Sequence, residues 1–396
     1  MESREAANPS KEPRKAFRFR PYIAIILVPA LAVAVFWIWR YGSVVVRRAQ
    51  YAARTPTFSD SSERLTQTAI VPTLASPLSP GRNIIWCSSF QLAWNELRDK
   101  VIGAPLEVVG AQEIADRLNA AKASLSDLDA KSVYAAGGRV GKGIRETIRK
   151  DMAAKFPQHA PPDFSDYTDG LLAYSYLTAR VPFKYPFRQV DKGITFTDSQ
   201  GVQSQVAGFG LWEAYQRRYE KIREQVEILY IGPLVNDYSR NTEYALDLCR
   251  DSEPYQVVAA RVEPRGTLAE TLDYVRTRIA DFRNCGTYKR DSRFSSADEL
   301  KVPEMFWRID HRFTELVGKT IANSNPPTPI AEAFQTIEFR LDRSGAILES
   351  ESILAAKSES RYFEFNRPFL VYMQKRGAER PFFVMWVDNA ELLVHE

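Results

Sequence analysis

The stretch that decides the fold runs from Phe334 to Val387 and reads FQTIEFRLDRSGAILESESILAAKSESRYFEFNRPFLVYMQKRGAERPFFVMWV. Ile337, Phe339 and Leu341 share one face of an alternating strand, the period of a chain with one side on a core. That strand runs into Asp342-Arg343-Ser344-Gly345. A largely polar, acidic run without proline follows, Ala346 to Ser360. Two apolar strands come next, Phe369–Met373 and Pro381–Val387, flanking a turn at Arg376-Gly377-Ala378. A loop of this length inside a domain is usually functional or disordered. This one hangs between core strands, so both of its ends are fixed.

Outward from that stretch, Phe90–Val101, Ala111–Ala121, Ile144–Phe156 and Leu268–Phe282 have helical spacing. Trp212–Val226 reads as helix turning into strand. Further strands are expected near 171–179, 194–198, 226–231 and 255–262. Helices first and strands later, without strict alternation, predict an α+β fold with mixed sheets.

The ordered series of segments resembles the serpins. Phe365-Asn366-Arg367-Pro368-Phe369-Leu370 closely matches the strand that follows that family's reactive loop, and Phe382–Val387 is similar to its last strand. Ser344-Gly345 falls where the family has its hinge Glu-Gly. Asn83–Phe90 is similar to the Asn-Ile-Phe strand that leads into a helix, with departures at Cys87 and Ser89. Leu171–Phe187, Val226–Gly232, Val257–Leu268 and Lys301–Phe306 match later segments in order, although the family's Trp after the first of these is absent. The interval between the Asn83 and Leu171 segments is shorter than in typical serpins. Several helices and at least one central-sheet strand are therefore expected to be reduced, with Asp127–Phe156 replacing part of them.

The resemblance implies a protease inhibitor whose exposed loop, 345–362, is cleaved and then inserts as a new strand, with a serine-type protease as partner. The hinge would be Ser344, Gly345 and Ala346. Counting from either end of the loop places the scissile bond near Lys357, Ser358 or Glu359, and Lys357 suits a trypsin-like acidic pocket. Insertion requires alternate side chains to be buried. Ala346, Leu348, Ser350, Ser352, Leu354 and Ala356 form one compatible parity. Ile347, Glu349, Glu351, Ile353 and Ala355 form the other, only partly suited to solvent. Family inhibitors have small residues just after the hinge glycine, whereas this chain has Ile347, Leu348 and Glu349. The second reading is therefore a non-inhibitory binding or structural module that keeps the fold without the trap.

Composition bounds the rest. The chain has 396 residues, 45% hydrophobic and 26% charged, with a net charge of +4. Residues 1–54 carry ten basic and three acidic side chains, so the remainder is slightly acidic and offers no footprint for nucleic acid. Pro21–Trp39 is an uncharged apolar run long enough to cross a bilayer, with Tyr22, Trp37 and Trp39 at its ends. The basic residues before it favour a cytoplasmic N-terminus. No small-residue cleavage site follows, so an uncleaved anchor is preferred over a signal peptide. The expected order is a basic tail (1–20), a transmembrane helix (21–39), a stalk (40–80) and a domain (81–396) that is periplasmic or extracellular. Oligomeric state is left open.

Little in the sequence suggests catalysis. The three histidines, His159, His311 and His395, have no metal-ligand spacing, and neither metal nor cofactor is expected. Ser88 and Ser89 lack a nucleophile elbow, and Cys87 sits in an apolar strand. Cys87, Cys249 and Cys285 make an odd count, leaving either a Cys249–Cys285 disulfide or three free thiols. The glycine-rich run Ala135–Gly143 lacks Walker spacing, because no Ser or Thr follows Lys142, and it reads as a lead-in to the helix 144–156. Arg217–Glu224 reads as a solvated helix face.

Overall fold

The computed structural model describes residues 55–180, 183–212, 219–232, 243–344 and 361–396. Its strands are β1 (Phe58–Ser61), β2 (Thr68–Val71), β3 (Asn83–Cys87), β4 (Val133–Arg139), β5 (Leu171–Arg180), β6 (Arg188–Gln189) and β7 (Ile194–Thr197). Then come β8 (Gln203–Val206), β9 (Gly208–Leu211), β10 (Glu227–Ile231), β11 (Tyr244–Asp247), β12 (Tyr255–Arg261) and β13 (Glu299–Pro303). The last are β14 (Met305–Arg312), β15 (Thr320–Ile321), β16 (Thr328–Leu341), β17 (Tyr362–Glu364), β18 (Phe369–Lys375) and β19 (Pro381–Val387). The longer helices are α1 (Ser88–Asn95), α2 (Gln112–Ala120), α3 (Ile144–Lys155) and α4 (Leu268–Arg283).

Among the described residues, two large sheets organise the chain. One has six strands in the order β1-β14-β16-β5-β4, with β15 on β16. The other has seven, β10-β11-β12-β18-β19-β3-β2. A four-stranded sheet, β17-β13-β9-β6, and the β7–β8 hairpin complete the mixed α+β architecture. The quoted stretch joins the two large sheets: β16 belongs to the first, β18 and β19 to the second.

The main core lies between the large sheets. Trp307, Ile337 and Phe339 from the six-stranded sheet meet Ile85, Val371, Phe383 and Met385 from the seven-stranded one. Phe339 and Phe383 stack across this layer at 4.6 Å. Each sheet also has a covered outer face. Helix α4 starts at a capping box, in which Thr267 accepts from the Glu270 amide and Glu270 reaches back to the Thr267 amide. Its apolar stripe, Leu268, Leu272, Val275 and Ile279, packs on Leu370, Tyr372, Val384 and Trp386. Helix α3 and the segment after it place Ile148, Met152, Phe156 and Phe164 on Leu172, Tyr174, Tyr176 and Phe334.

Several expectations change here. Residues 55–71, expected in the stalk, supply β1 and β2, which pair in parallel with β14 and β3. The glycine-rich run contributes strand β4, paired antiparallel with β5, before it reaches α3. Gly137 lets the helix after Ser88 press onto this strand, since a Cβ there would lie 2.9 Å from the Leu97 amide nitrogen and 3.0 Å from the Ala93 carbonyl. Of the two alternatives for the cysteines, the structure has three free thiols and no Cys249–Cys285 disulfide. Each thiol has its own neighbour instead: Cys249 Sγ accepts from the Val257 amide at 3.2 Å, and Cys285 Sγ lies 3.4 Å from Thr287 Oγ1. The apolar run 21–39 lies outside the described residues. Among those described, no helix is long and apolar enough to cross a membrane.

Candidate functional site

The strand that precedes the loop, β16, sits mid-sheet between two unlike neighbours. It runs antiparallel to β14, from Met305↔Leu341 to Arg312↔Phe334. On its other side it runs parallel to β5, from Ile330↔Leu171 to Arg340↔Arg180. Beyond β5, β4 is again antiparallel. The β5–β16 ladder is thus a parallel seam between antiparallel neighbours. Parallel pairing is slightly less stable per residue, and its slanted hydrogen bonds give way to perpendicular ones if a reversed strand enters. A chain that leaves the end of β16 and turns back has the right direction to be that strand.

The seam carries polar groups on both faces, although both are buried. Towards the core, Gln335 Nε2 donates to Ser89 Oγ at 2.8 Å and to the Cys87 carbonyl at 3.3 Å. Ser89 Oγ in turn lies 3.3 Å from Ser175 Oγ on β5, so this relay spans the seam by way of α1. Cys87 is fully buried, and burial pushes its thiol up to about 11, the opposite of an activated nucleophile.

On the α3 side, the carboxylate of Glu338 collects three partners. Arg180 Nη2 from β5 pairs with Oε1. Tyr176 Oη, also from β5, donates to Oε2 at 3.4 Å. His159 Nε2, from the segment after α3, lies 3.3 Å from Oε2. Burial, reinforced by Arg308 and Arg180, holds the His159 imidazole below its ordinary value. Burial also lifts the Tyr176 phenol to about 12, keeping it a donor.

The loop ends are held differently. At the near end, Asp342 accepts from Arg340 Nε at 2.7 Å, the Ser344 amide at 2.9 Å and the Ser344 hydroxyl. The chain after β5 completes the tie, as the Phe183 amide donates to the Ser344 carbonyl and the Phe187 amide to that of Arg343. At the far end, fully buried Asp298 accepts from the Arg361 amide, Nε and Nη2 at 3.1, 2.9 and 2.6 Å. The Arg361 guanidinium also donates to the carbonyls of Asp291 and Arg293. Of the expected hinge, Ser344 is placed by these bonds. Gly345, Ala346, Lys357, Ser358 and Glu359 lie outside the described residues.

Sequence reading found the loop and its flanking strands but missed Gln335, Glu338, Asp298 and Arg361. For Glu338 the parity of β16 pointed the wrong way. It set Glu338 opposite the core face, and only the cover from α3 buries it.

No protein-family profile matches the chain, and no curated protein does. Among solved structures, native protease nexin-1 with heparin overlaps 78% of this chain and 92% of its own, at 11% identity and a TM-score of 0.46. A serine protease inhibitor of Manduca sexta, Serpin-12, overlaps 81% and 95%, at 12% identity and a TM-score of 0.43. Both are serpins. The segments that carried the serpin resemblance fall, in order, on β3 with α1, on β5, β10 and β12, on β13 running into β14, and on β18 and β19.

Proposed function

We propose that this chain is a membrane-tethered, serpin-like protease inhibitor acting through the loop 345–362. The observation that carries this reading is the β5–β16 seam: the loop leaves the very strand beside which a reversed strand would convert one parallel ladder into two antiparallel ones. The covering layer strengthens it. Because Tyr174, Tyr176 and Phe334 are buried under α3, an inserted strand would have both faces enclosed. Ile347, Ile353 and Ala355 would then be enclosed like Leu348 and Leu354, at the cost of enclosing Glu349 and Glu351 of the same parity as well. The target is a serine-type protease, with Lys357 read by an acidic specificity pocket. The anchor is the run 21–39, with the N-terminus cytoplasmic and the domain on the far side of the membrane.

The experiment is thermal unfolding of the protein before and after nicking the loop with trypsin. The expected result is a rise of tens of degrees, far above the few degrees that ~1 kcal/mol is worth. A covalent, SDS-resistant complex with a trypsin-like protease would accompany it. An unchanged or lower midpoint would overturn insertion. That outcome would favour a non-inhibitory module with the same fold, a reading that rests on Ile347, Leu348 and Glu349 following the hinge glycine.

A further inference from the structure

Glu338 lies on β16 opposite Thr178 of β5, two residues from the end of the seam at Arg180↔Arg340, where the chain departs into the loop. It is 2% exposed. Of the other side chains on this face, Thr336 donates to Asp310 at 2.8 Å and Arg312 lies 3.3 Å from Glu332, both holding β16 to β14, while Tyr174 of β5 packs across the seam on Phe334 at 6.3 Å. Arg180 and Tyr176 reach Glu338 from β5 and so cross the seam with polar contacts. His159 fastens the same carboxylate to the covering segment.

We infer that Glu338 is a clasp that keeps the seam shut at its loop end. The physical reason is an asymmetry of solvation. When β5 moves away, Arg180, already 47% exposed, rehydrates readily. Glu338 does not, because the segment that covers it is tied to its own strand, the Ser165 amide donating to Glu332 of β16 at 2.7 Å, while Lys155 Nζ of α3 holds the Val133 carbonyl of β4, on the β5 side, at 2.6 Å. Opening therefore takes Arg180 and Tyr176 away from a buried carboxylate, leaving His159 and, from β14, its register partner Arg308, and a buried ionised carboxylate that loses partners in a dry site is disfavoured. The groups facing His159 are Glu338, Arg180, Arg308 and the ring of Tyr176, with the carboxylates of Asp310 and Asp342 acting on Tyr176 and Arg180 respectively. The consequence for inhibition, that Glu338 sets how fast the loop enters, rests on the reading proposed above. The clasp itself does not.

The test is amide hydrogen exchange on the full chain with its loop intact. Glu338→Leu is expected to speed exchange along β5 and β16 about tenfold while β18 and β19 keep their wild-type rates. Glu338→Gln, which keeps shape and some hydrogen bonding, should fall between, and it serves if the leucine variant does not fold. Arg180→Met should also speed seam exchange in the wild-type background and add nothing on top of Glu338→Leu, as required of partners in one interaction. Seam exchange unchanged in both Glu338 variants, an equal rise in β18 and β19, or additive effects of Arg180 and Glu338 would each overturn the clasp. Trypsin nicking of the same variants separates the two claims. Faster seam exchange with no gain in thermal stability on nicking sinks insertion and leaves the clasp standing. A gain on nicking with seam exchange unaltered by the variants does the reverse.

Discussion

The two large sheets are built from the same chain on opposite principles. In the seven-stranded sheet, β19 is buried at every position and is apolar throughout, and every pairing except β2–β3 is antiparallel. In the six-stranded sheet, the two central strands pair in parallel and enclose Ser175, Glu332, Gln335, Thr336 and Glu338. The seven-stranded sheet also buries Thr68, Asn83 and Asp247, but on flanking strands, so apolar packing holds its centre and makes it the platform of the comparison. Buried polar groups bind through directional contacts that exchange partners, and a parallel ladder gives up less when it parts. On the insertion reading proposed above, stability and rearrangement fall to separate layers of one domain.

The largest effect should come from the platform sheet. Phe383→Ala empties a fully buried site between Phe339 and Trp307 and is expected to cost about 3–5 kcal/mol in urea unfolding. A cost under ~1 kcal/mol would mean that the inter-sheet core is not what joins the layers. Next comes the far loop clamp. Arg361→Met leaves the Asp298 carboxylate buried without its guanidinium, at a cost of about 3 kcal/mol. Exchange should rise first in β17 and leave β18 alone. Simultaneous loss in both strands would show that the clamp belongs to the platform.

Acid should sharpen the contrast. His311 on β14 is held down to about 4 by burial, and its Nδ1 lies 2.7 Å from Ser62 Oγ. His159 over the seam is lowered as well. A histidine whose folded value is depressed contributes stability that is complete above its unfolded value, near 6.5, and is lost as pH falls towards the folded one. The six-stranded sheet should lose of order 1–2 kcal/mol by about pH 5, while the seven-stranded sheet, with no histidine in its strands, keeps its protection. Exchange measured strand by strand at pH 7 and 5 reads this, and His311→Gln should flatten the acid limb. The smallest effect is Gln335→Leu, expected to cost about 1 kcal/mol for the bonds to Ser89 and the Cys87 carbonyl. A loss above ~3 kcal/mol would place Gln335 among the permanent supports.

Much of the platform was legible in advance. The apolar runs at 369–373 and 381–387 read as buried strands, and the stripe from Leu268 to Phe282 as a helix on an apolar face. The helix read at 144–156 was legible from its spacing and is seen at Ile144–Lys155. β4 was not, because glycines deplete strand signals and their value appears only where Leu97 crowds Gly137. Nor were β1 and β2 within an expected stalk, since four-residue strands acquire meaning from the partners β14 and β3.

The sequence by itself determined the α+β class, the order of the longer helices and apolar strands, the long polar interval between the strands ending at Leu341 and beginning at Phe369, and the position of Ser344 at its start, because period and chain order are local properties. Tertiary structure alone decided that β16 lies parallel to β5, that a helix covers Glu338, and that Arg361 finds Asp298 sixty-three residues away. Those depend on which distant surfaces meet, and burial of a charge is a property of its neighbours in space.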